Sequence, residues 1–286
     1  MVAALAAGRH ILLEGPPGTG KSTLLRAVAD ELSIGFEFVE GNAELTPARL
    51  VGHFDPARVL AEGYVAEIFE DGPLVAALRD GSLLYIEEIN RIPEETLNVL
   101  ITVMSEAELH VPRLGRVAAT PGFLLVAAMN PFDAVGTARI SSAVYDRTCR
   151  LTMDYQDMAD EVAIVAREAG EAAADLRWLS GVVQLVRRTR SHPDLRIGSS
   201  VRGAIDTVVV AARLSGLRGQ PAHDAKVGLD AALVALSGRV RVRDGAGRTS
   251  EDVITELWAS IFGSPDGEAG KGDAPEGATV KTSSTS

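Results

Sequence analysis

The stretch Gly15–Ser22 has the residue types and spacing of a phosphate-binding loop. Its sequence, Gly-Pro-Pro-Gly-Thr-Gly-Lys-Ser, fits G-x-x-x-x-G-K-[ST] at every fixed position. Glycines let backbone N–H groups converge on an anion, and the N-terminus of a following helix adds positive potential. Lys21 is expected to reach the β- and γ-phosphates, and the Ser22 hydroxyl to ligate Mg²⁺. The predicted nucleotide contacts are Gly15, Pro16, Pro17, Gly18, Thr19, Gly20, Lys21, Ser22 and Thr23.

A pair of carboxylates, Glu87 and Glu88, stands where the apolar segment 82–86 ends. In phosphate-loop ATPases a strand of this kind lies beside the first strand and points its acids at the metal. We predict that Glu87 holds Mg²⁺ and that Glu88 orients and polarises the attacking water. The other interpretation is an acidic strand end that faces solvent, and the nearby phosphate loop favours the catalytic one.

A polar amide follows a second buried strand. The apolar run 123–129 is typical of a central parallel strand, and Asn130 comes directly after it. In open α/β sheets, ligands bind at the carboxyl ends of the strands. We therefore predict that Asn130 senses the γ-phosphate and holds the water. The alternative is an asparagine that only starts a turn before Pro131.

Strand and helix patterns surround these residues in the order that the chemistry requires. The segment 10–14 is typical of a buried strand before the loop, and 23–29 is typical of a helix after it. Helical patterns dominate from Gln156 onward, until the composition loses its periodicity near the end of the chain. The predicted fold is α/β, a P-loop NTPase core of three αβα layers on a parallel sheet, followed by a small all-α domain, which the family resemblance described below implies is a lid. The predicted boundaries are 1–153 for the core, 154–262 for the lid and 263–286 for a disordered tail.

Composition limits the partners. The 286 residues carry a formal net charge of -11, which argues against a general nucleic-acid binder. The segment 177–248 is nevertheless basic, with 13 Lys and Arg against 5 Asp and Glu. It is either a solvated helical face or a surface for nucleotide phosphates or an acidic neighbouring subunit.

The cysteine content and hydropathy address the compartment. Cys149 is the single cysteine, so no intrachain disulfide forms and a reducing, cytoplasmic compartment fits. We predict that Cys149 is a small buried hydrophobic residue. No run of 18 apolar residues occurs, so no transmembrane span is predicted.

Five ordered motifs together resemble those of AAA+ ATPases, and more narrowly the MoxR family, relatives of the magnesium chelatase ATPase subunit. The resemblance extends from residue 5 to residue 262. The motifs are HILLEG before the phosphate loop, EDGPL (70–74) leading to LLYIEEINR (83–91), MNP (129–131), SSAVYDR (141–147) and HPDLRIGSSVR (192–202).

The resemblance assigns roles to particular residues. It implies that Lys21, Ser22, Glu87, Glu88 and Asn130 form the site of one subunit. Arg147 would enter the site of the next subunit, and Arg202 would contact the γ-phosphate from the lid. Planar guanidinium groups suit both roles because they stabilise charge spread over the transferring phosphoryl oxygens.

The resemblance also implies partners. It predicts a homo-oligomeric ring, a hexamer, whose loops at 43–70 and 109–119 line the ring face or pore. The client would be a partner protein, and the resemblance suggests a partner with a von Willebrand factor A domain. The expected activity is Mg²⁺-dependent ATP hydrolysis by a cytoplasmic, chaperone-like remodelling or maturation factor.

One position departs from the family pattern, because Glu87 stands where the metal-binding acid is usually Asp. This departure predicts slower turnover. It motivates an alternative function, a nucleotide-gated binding switch with negligible hydrolysis. A third hypothesis, a DNA-directed motor, depends only on the basic stretch 177–248.

Overall fold

The computed structural model describes residues 1–131, 140–173 and 175–263. The chain divides into two compact units, of which the first is Met1–Gln156 and the second begins at Asp157. The predicted tail after Gly263 lies outside the described residues.

The first unit is organised around a parallel sheet. Among its described residues the strands are β1 (Ile11–Glu14), β2 (Phe36–Glu40), β3 (Gly52–Phe54), β4 (Phe69–Asp71), β5 (Leu83–Glu87), β6 (Glu108–Val111), β7 (Gly115–Ala118), β8 (Leu124–Met129) and β9 (Cys149–Thr152). Five of them form the sheet in the order β2-β5-β8-β1-β9, and all its pairs are parallel. The other four form two antiparallel pairs, β3 with β4 and β6 with β7.

Helices cover both faces of this sheet. Those described in the first unit are α1 (Val2–Ala6), α2 (Lys21–Glu31), α3 (Pro47–Val51), α4 (Pro56–Glu62), α5 (Pro73–Asp80), α6 (Glu94–Glu106) and α7 (Ser142–Arg147), with 3₁₀ turns at Ala66–Ile68 and Ile89–Arg91. Side chains alternate along a strand, so Leu12 packs in the core that contains α5 and α6, whereas Leu13 packs in the core that contains Leu25 of α2. The predicted α/β class, a parallel sheet between two helical layers, is confirmed.

The prediction that Cys149 is buried is wrong. Cys149 is exposed because it begins β9, the last strand in the order of the sheet, which pairs with β1. An edge strand has one neighbour, and its faces receive less cover than those of β1, whose four residues are all buried.

The second unit is mainly helical. Its described elements are α8 (Met158–Ala169), a 3₁₀ turn (Gly170–Ala173), α9 (Leu176–Ser191), β10 (Leu195–Ile197), α10 (Val201–Arg218), α11 (Ala225–Leu236), β11 (Arg241–Val242) and α12 (Ser250–Phe262). The strands β10 and β11 pair antiparallel as a short ribbon, an addition to the all-α lid that was predicted. One apolar core, which includes Trp178 and Trp258, joins the five helices. None of the described helices combines the length and the apolar composition that a membrane span requires.

Some arginines of the basic stretch 177–248 pair with acidic residues inside the second unit, one of which is buried. Glu161 on α8 is fully buried, and its oxygens lie 2.9 Å from Arg187 and 2.7 Å from Arg190, both on α9. Further ion pairs within this unit join Arg218 to Asp230 and Arg248 to Asp194. Several of the arginines therefore serve the packing of the unit itself.

We predict that Glu161→Gln destabilises the second unit, because it removes the charge that compensates the nearly buried guanidinium of Arg190. The expected loss is about 3 kcal/mol of unfolding free energy, the low end for a broken buried ion pair. Trp178 and Trp258 are the two tryptophans of the chain and both are buried in this unit, so their fluorescence during urea unfolding reports its stability.

The matched control is Glu168→Gln on the same helix, since Glu168 pairs with its neighbour Arg167 at the surface. This control should leave the urea midpoint unchanged. Equal midpoints for Glu161→Gln and the unaltered protein would contradict the assigned role of the buried pair.

Candidate nucleotide site

The phosphate loop lies between β1 and α2. At its glycines, a residue with a side chain would strain the backbone or clash with a neighbouring residue. Gly18 and Gly20 have φ angles of 76° and 78°, in the left-handed region that glycine adopts without cost. A Cβ at Gly15 would lie 2.3 Å from the carbonyl oxygen of Met153, which is closer than real contacts allow. The sequence therefore folds into a loop with a fixed backbone, as convergence of N–H groups on an anion requires.

Lys21, the first residue of α2, is mostly buried and its ammonium lies within the loop. Its Nζ donates hydrogen bonds to the carbonyl oxygens of Gly15 at 3.0 Å and Pro16 at 2.9 Å, and lies 3.4 Å from Oγ1 of Thr19. Thr19 Oγ1 itself donates to Pro16, and Gln156 Nε2 donates to the Thr19 carbonyl at 2.9 Å. The amide of Gln156, which the sequence did not indicate, therefore helps to hold the loop.

Ser22 and Glu87, the two predicted metal ligands, are in direct contact. The Ser22 Oγ donates to the carboxylate of Glu87 and lies 3.1 Å from each of its oxygens. A hydroxyl and a carboxylate are hard oxygen donors of the kind that Mg²⁺ prefers, alongside phosphate oxygens. The donor set therefore fits a magnesium ion bound together with a nucleotide.

Tyr85 extends this contact. Its hydroxyl lies 3.4 Å from Ser22 Oγ, and its ring packs against Phe36 and Phe38 of β2. Burial raises the pKa of Tyr85 to about 12, so the hydroxyl keeps its proton at neutral pH. No sequence pattern indicates this role for Tyr85, because a tyrosine in an apolar strand usually serves packing alone.

Glu88 and Asn130 follow neighbouring strands of the sheet. The order β5-β8-β1 brings the carboxyl ends of these three strands to one edge, and the Gly15 N–H donates to the Met129 carbonyl at 3.2 Å, beside Asn130. Glu88 has a φ angle of 54°, and its carboxylate lies 3.1 Å from Nε of Arg91. A residue other than glycine in the left-handed region is uncommon, and such strain concentrates at functional sites.

The two predicted arginines lie on helices α7 and α10. Arg147 ends α7, where its guanidinium donates to Ser105 of α6 and, at 2.9 Å, to the Ala143 carbonyl. Arg202 is exposed in the first turn of α10, in the second unit. The structure thus brings together the loop, Ser22 and Glu87, while Arg147 has its contacts on α6 and α7.

A buried carboxylate at the base of the loop, paired with an exposed arginine, was missed by sequence reasoning. Glu14, which ends β1, has a side chain that is 4% exposed, and Arg150 of β9 approaches its Oε2 at 2.6 Å through both Nε and Nη2. The Tyr145 hydroxyl donates to its Oε1 at 2.9 Å. The available signal was a charged residue at the end of a buried strand, directly before the phosphate loop.

This arrangement is that of a P-loop NTPase, with a phosphate loop after the first strand of a parallel sheet and an acidic strand end beside it. Residues 10–148 match the family described as AAA domain (dynein-related subfamily). An uncharacterized protein of Staphylococcus aureus strain USA300 is 35% identical over 190 residues, which are 66% of this chain and 68% of the relative. The chain belongs to the AAA+ ATPase family, and this membership implies that it binds a nucleotide.

Further proteins are similar to this chain in sequence or in fold. An uncharacterized protein of Staphylococcus epidermidis strain RP62A is 34% identical over 151 residues, so this chain spans a little over half of that relative, 57%. The RuvB Holliday junction branch migration motor of Thermotoga maritima has a TM-score of 0.54 at 20% identity, over 82% of this chain and 65% of that one. NtrX of Brucella abortus, solved with ADP, has a TM-score of 0.52 at 18% identity, over 74% and 47%. These two likenesses concern the fold alone.

We predict that Glu87→Gln removes the contribution of Mg²⁺ to ATP binding, because the amide cannot supply the negative charge that a divalent cation requires. With Mg²⁺ present, the affinity for a fluorescent ATP analogue should fall about tenfold, which is one charge-assisted contact. With EDTA the affinity should be equal to or higher than that of the unaltered protein, because the amide also removes a charge that repels the phosphates. Glu31→Gln, at an exposed carboxylate ending α2, is the matched control. An undiminished Mg²⁺ effect in Glu87→Gln would contradict the assignment.

Proposed function

We propose that the protein is a Mg²⁺-dependent ATP hydrolase of the MoxR type, which forms a ring and acts as a chaperone-like factor that remodels or matures a partner protein in the cytoplasm. The observation that carries the hydrolytic part is the contact between Ser22 Oγ and both oxygens of Glu87 at 3.1 Å. It joins the phosphate loop to the acidic strand end, and the two must meet if one metal is to bridge protein and phosphate.

The residues of this site divide the work of phosphoryl transfer. Lys21 and the N-terminus of α2 bind phosphate oxygens. Ser22 and Glu87 would hold Mg²⁺, which when bound neutralises charge on the phosphates. Glu88 takes the role of the base that orients water, and Asn130 that of the amide that holds it beside the γ-phosphate.

In a ring, each subunit would supply an arginine to the nucleotide site of its neighbour. The proposed trans residue is Arg147, whose side chain is 33% exposed at the end of α7. A head-to-tail interface that closes on itself carries a residue of each subunit to the site of the next. The proposed ring size is six, and Arg202 is the proposed lid arginine. Both come from the motif resemblance.

The proposed partner is a protein, and the motif resemblance favours one with a von Willebrand factor A domain. The formal net charge of -11 supports a protein client over nucleic acid, whose phosphates need a basic surface. Branch migration of Holliday junctions belongs to RuvB by its name, and the fold likeness at 20% identity does not extend it to this chain.

A second candidate function is a nucleotide-gated switch with negligible turnover. The ion pair between Glu88 and Arg91, at 3.1 Å, favours it because the guanidinium competes for the carboxylate that would activate water. Steady-state phosphate release with MgATP, measured alone and with cell extract, separates the two functions. Sustained release supports hydrolysis, and nucleotide binding without release supports the switch.

We predict that Glu88→Gln lowers phosphate release about a hundredfold, the low end for loss of a general base, while MgATP still binds. The amide keeps the size of the side chain but cannot accept a proton. The matched control is Glu95→Gln, an exposed carboxylate in the first turn of α6, which should hydrolyse normally. Equal rates for Glu88→Gln and the control would exclude the assigned role.

We predict that Arg147→Ala and Glu88→Gln complement each other. Each alone is expected to be nearly inactive, because Arg147→Ala lacks the trans arginine and Glu88→Gln lacks the base. In a ring mixed at equal amounts, about a quarter of the sites combine an intact Glu88 with an intact Arg147 of the neighbour. Phosphate release should therefore reappear on mixing.

The control mixture pairs Glu88→Gln with Arg9→Ala, which alters an exposed arginine before β1. It should release phosphate in proportion to the subunits that retain Glu88. Complete inactivity of the Arg147→Ala and Glu88→Gln mixture, in assembled rings, would mean that Arg147 does not act between subunits.

A further inference from the structure

We infer that Glu14 is a positioning residue which, through the hydroxyl of Tyr145, couples the base of the phosphate loop to the helix that carries Arg147. The inference deepens the proposed function and rests on it. It concerns β1, which ends at Glu14, and two consecutive elements that lie far from it in sequence: α7, which contains Tyr145 and Arg147, and β9, which contains Arg150.

The buried carboxylate of Glu14 needs partners that compensate its charge. An ionised carboxylate out of water must be paired and hydrogen-bonded. Arg150 supplies the pairing with two nitrogens at 2.6 Å from Oε2, and Tyr145 supplies a donor at 2.9 Å from Oε1. Burial and this hydrogen bond raise the pKa of Tyr145, so the hydroxyl retains the proton that it donates. The carboxylate therefore holds Tyr145 in one place.

The position of α7 depends on its tertiary contacts. This helix has six residues and its N-cap Ser141 makes no side-chain capping bond, so tertiary contacts must fix its position. Val144 is buried in the core, Tyr145 binds Glu14, and Arg147 binds Ser105 of α6. The contact with Glu14 is the one that leads toward the phosphate loop, and it lies two residues before Arg147.

Glu14 is connected to the nucleotide site through Gly15 and Lys21. Gly15 follows Glu14 directly, and its carbonyl oxygen accepts a hydrogen bond from Lys21 Nζ at 3.0 Å. Phosphate oxygens are stronger partners for an ammonium than a neutral carbonyl is. A nucleotide that draws Lys21 to its phosphates changes the contact at Gly15, and Glu14 conveys that change to Tyr145. The occupancy of one site thereby biases the arginine that serves the next.

The test uses Tyr145→Phe, which removes one hydroxyl and keeps the ring. Affinity for a fluorescent ATP analogue with Mg²⁺ should stay within about twofold, while phosphate release falls about tenfold, as expected when a hydrogen bond to a charged group is lost. Thr102→Val, which removes a hydroxyl that bonds only within α6, is the matched control and should change neither quantity. Ring assembly is checked by size-exclusion chromatography with ATP.

Mixing separates positioning of the trans arginine from general support of the fold. Tyr145→Phe subunits are mixed with an excess of Glu88→Gln subunits, whose own sites are silent but whose Tyr145 and Arg147 are intact. Phosphate release per Tyr145→Phe subunit should rise toward that of the unaltered protein, because neighbours now supply a well-placed Arg147. A defect confined to the variant's own site would persist.

A mixture of Arg147→Ala with excess Glu88→Gln tests the trans role of Arg147 separately from the coupling through Tyr145. If both mixtures regain activity, the coupling stands. If Arg147→Ala regains activity and Tyr145→Phe does not, the inference is overturned and the proposed ring mechanism survives. If Arg147→Ala regains none, the trans role of Arg147 fails and the inference falls with it.

Discussion

The site depends on offsetting the repulsion between two carboxylates and a polyphosphate that meet at one edge of a sheet. Glu87 ends β5 and Glu88 follows it, two strands away from the loop that follows β1. At a separation of about 4 Å, like charges repel by several kcal/mol even in the polarisable environment near a protein surface. Lys21 and the N-terminus of α2 supply part of the opposing charge. A divalent cation held by Ser22 and Glu87 would supply the rest, which is why the acids and the loop form one functional unit.

The local part of this site could be predicted from the sequence because its signals lie within a few residues of one another. The glycines of the loop specify its backbone, and the apolar run before Glu87 specifies a buried strand. Since parallel strands present their carboxyl ends at the same edge, a phosphate loop after one strand and acids after another predict their meeting. The structure has Ser22 and Glu87 in contact, in agreement with this reasoning.

The remaining features depend on contacts that no local pattern encodes. Glu14 and Tyr145 are separated by 131 residues, and their hydrogen bond requires β9 and α7 to pack beside β1. The same topology exposes Cys149, because composition does not reveal that β9 occupies the edge of the sheet. In the second unit, the basic stretch predicted a charged surface, yet Arg190 lies against the buried Glu161. A linear sequence shows an excess of charge but not which charges face inward.

The longer acid at position 87 is compatible with metal binding when the hydrogens at Ser22 are assigned. A serine hydroxyl has one hydrogen and two lone pairs. Its hydrogen is directed to Glu87, so Tyr85, which keeps its proton because its pKa is raised to about 12, must be the donor in the contact at 3.4 Å. Tyr85 thus takes one lone pair of Ser22 Oγ, and one remains. A single oxygen lone pair, beside the carboxylate of Glu87, is what one magnesium ion requires from this residue.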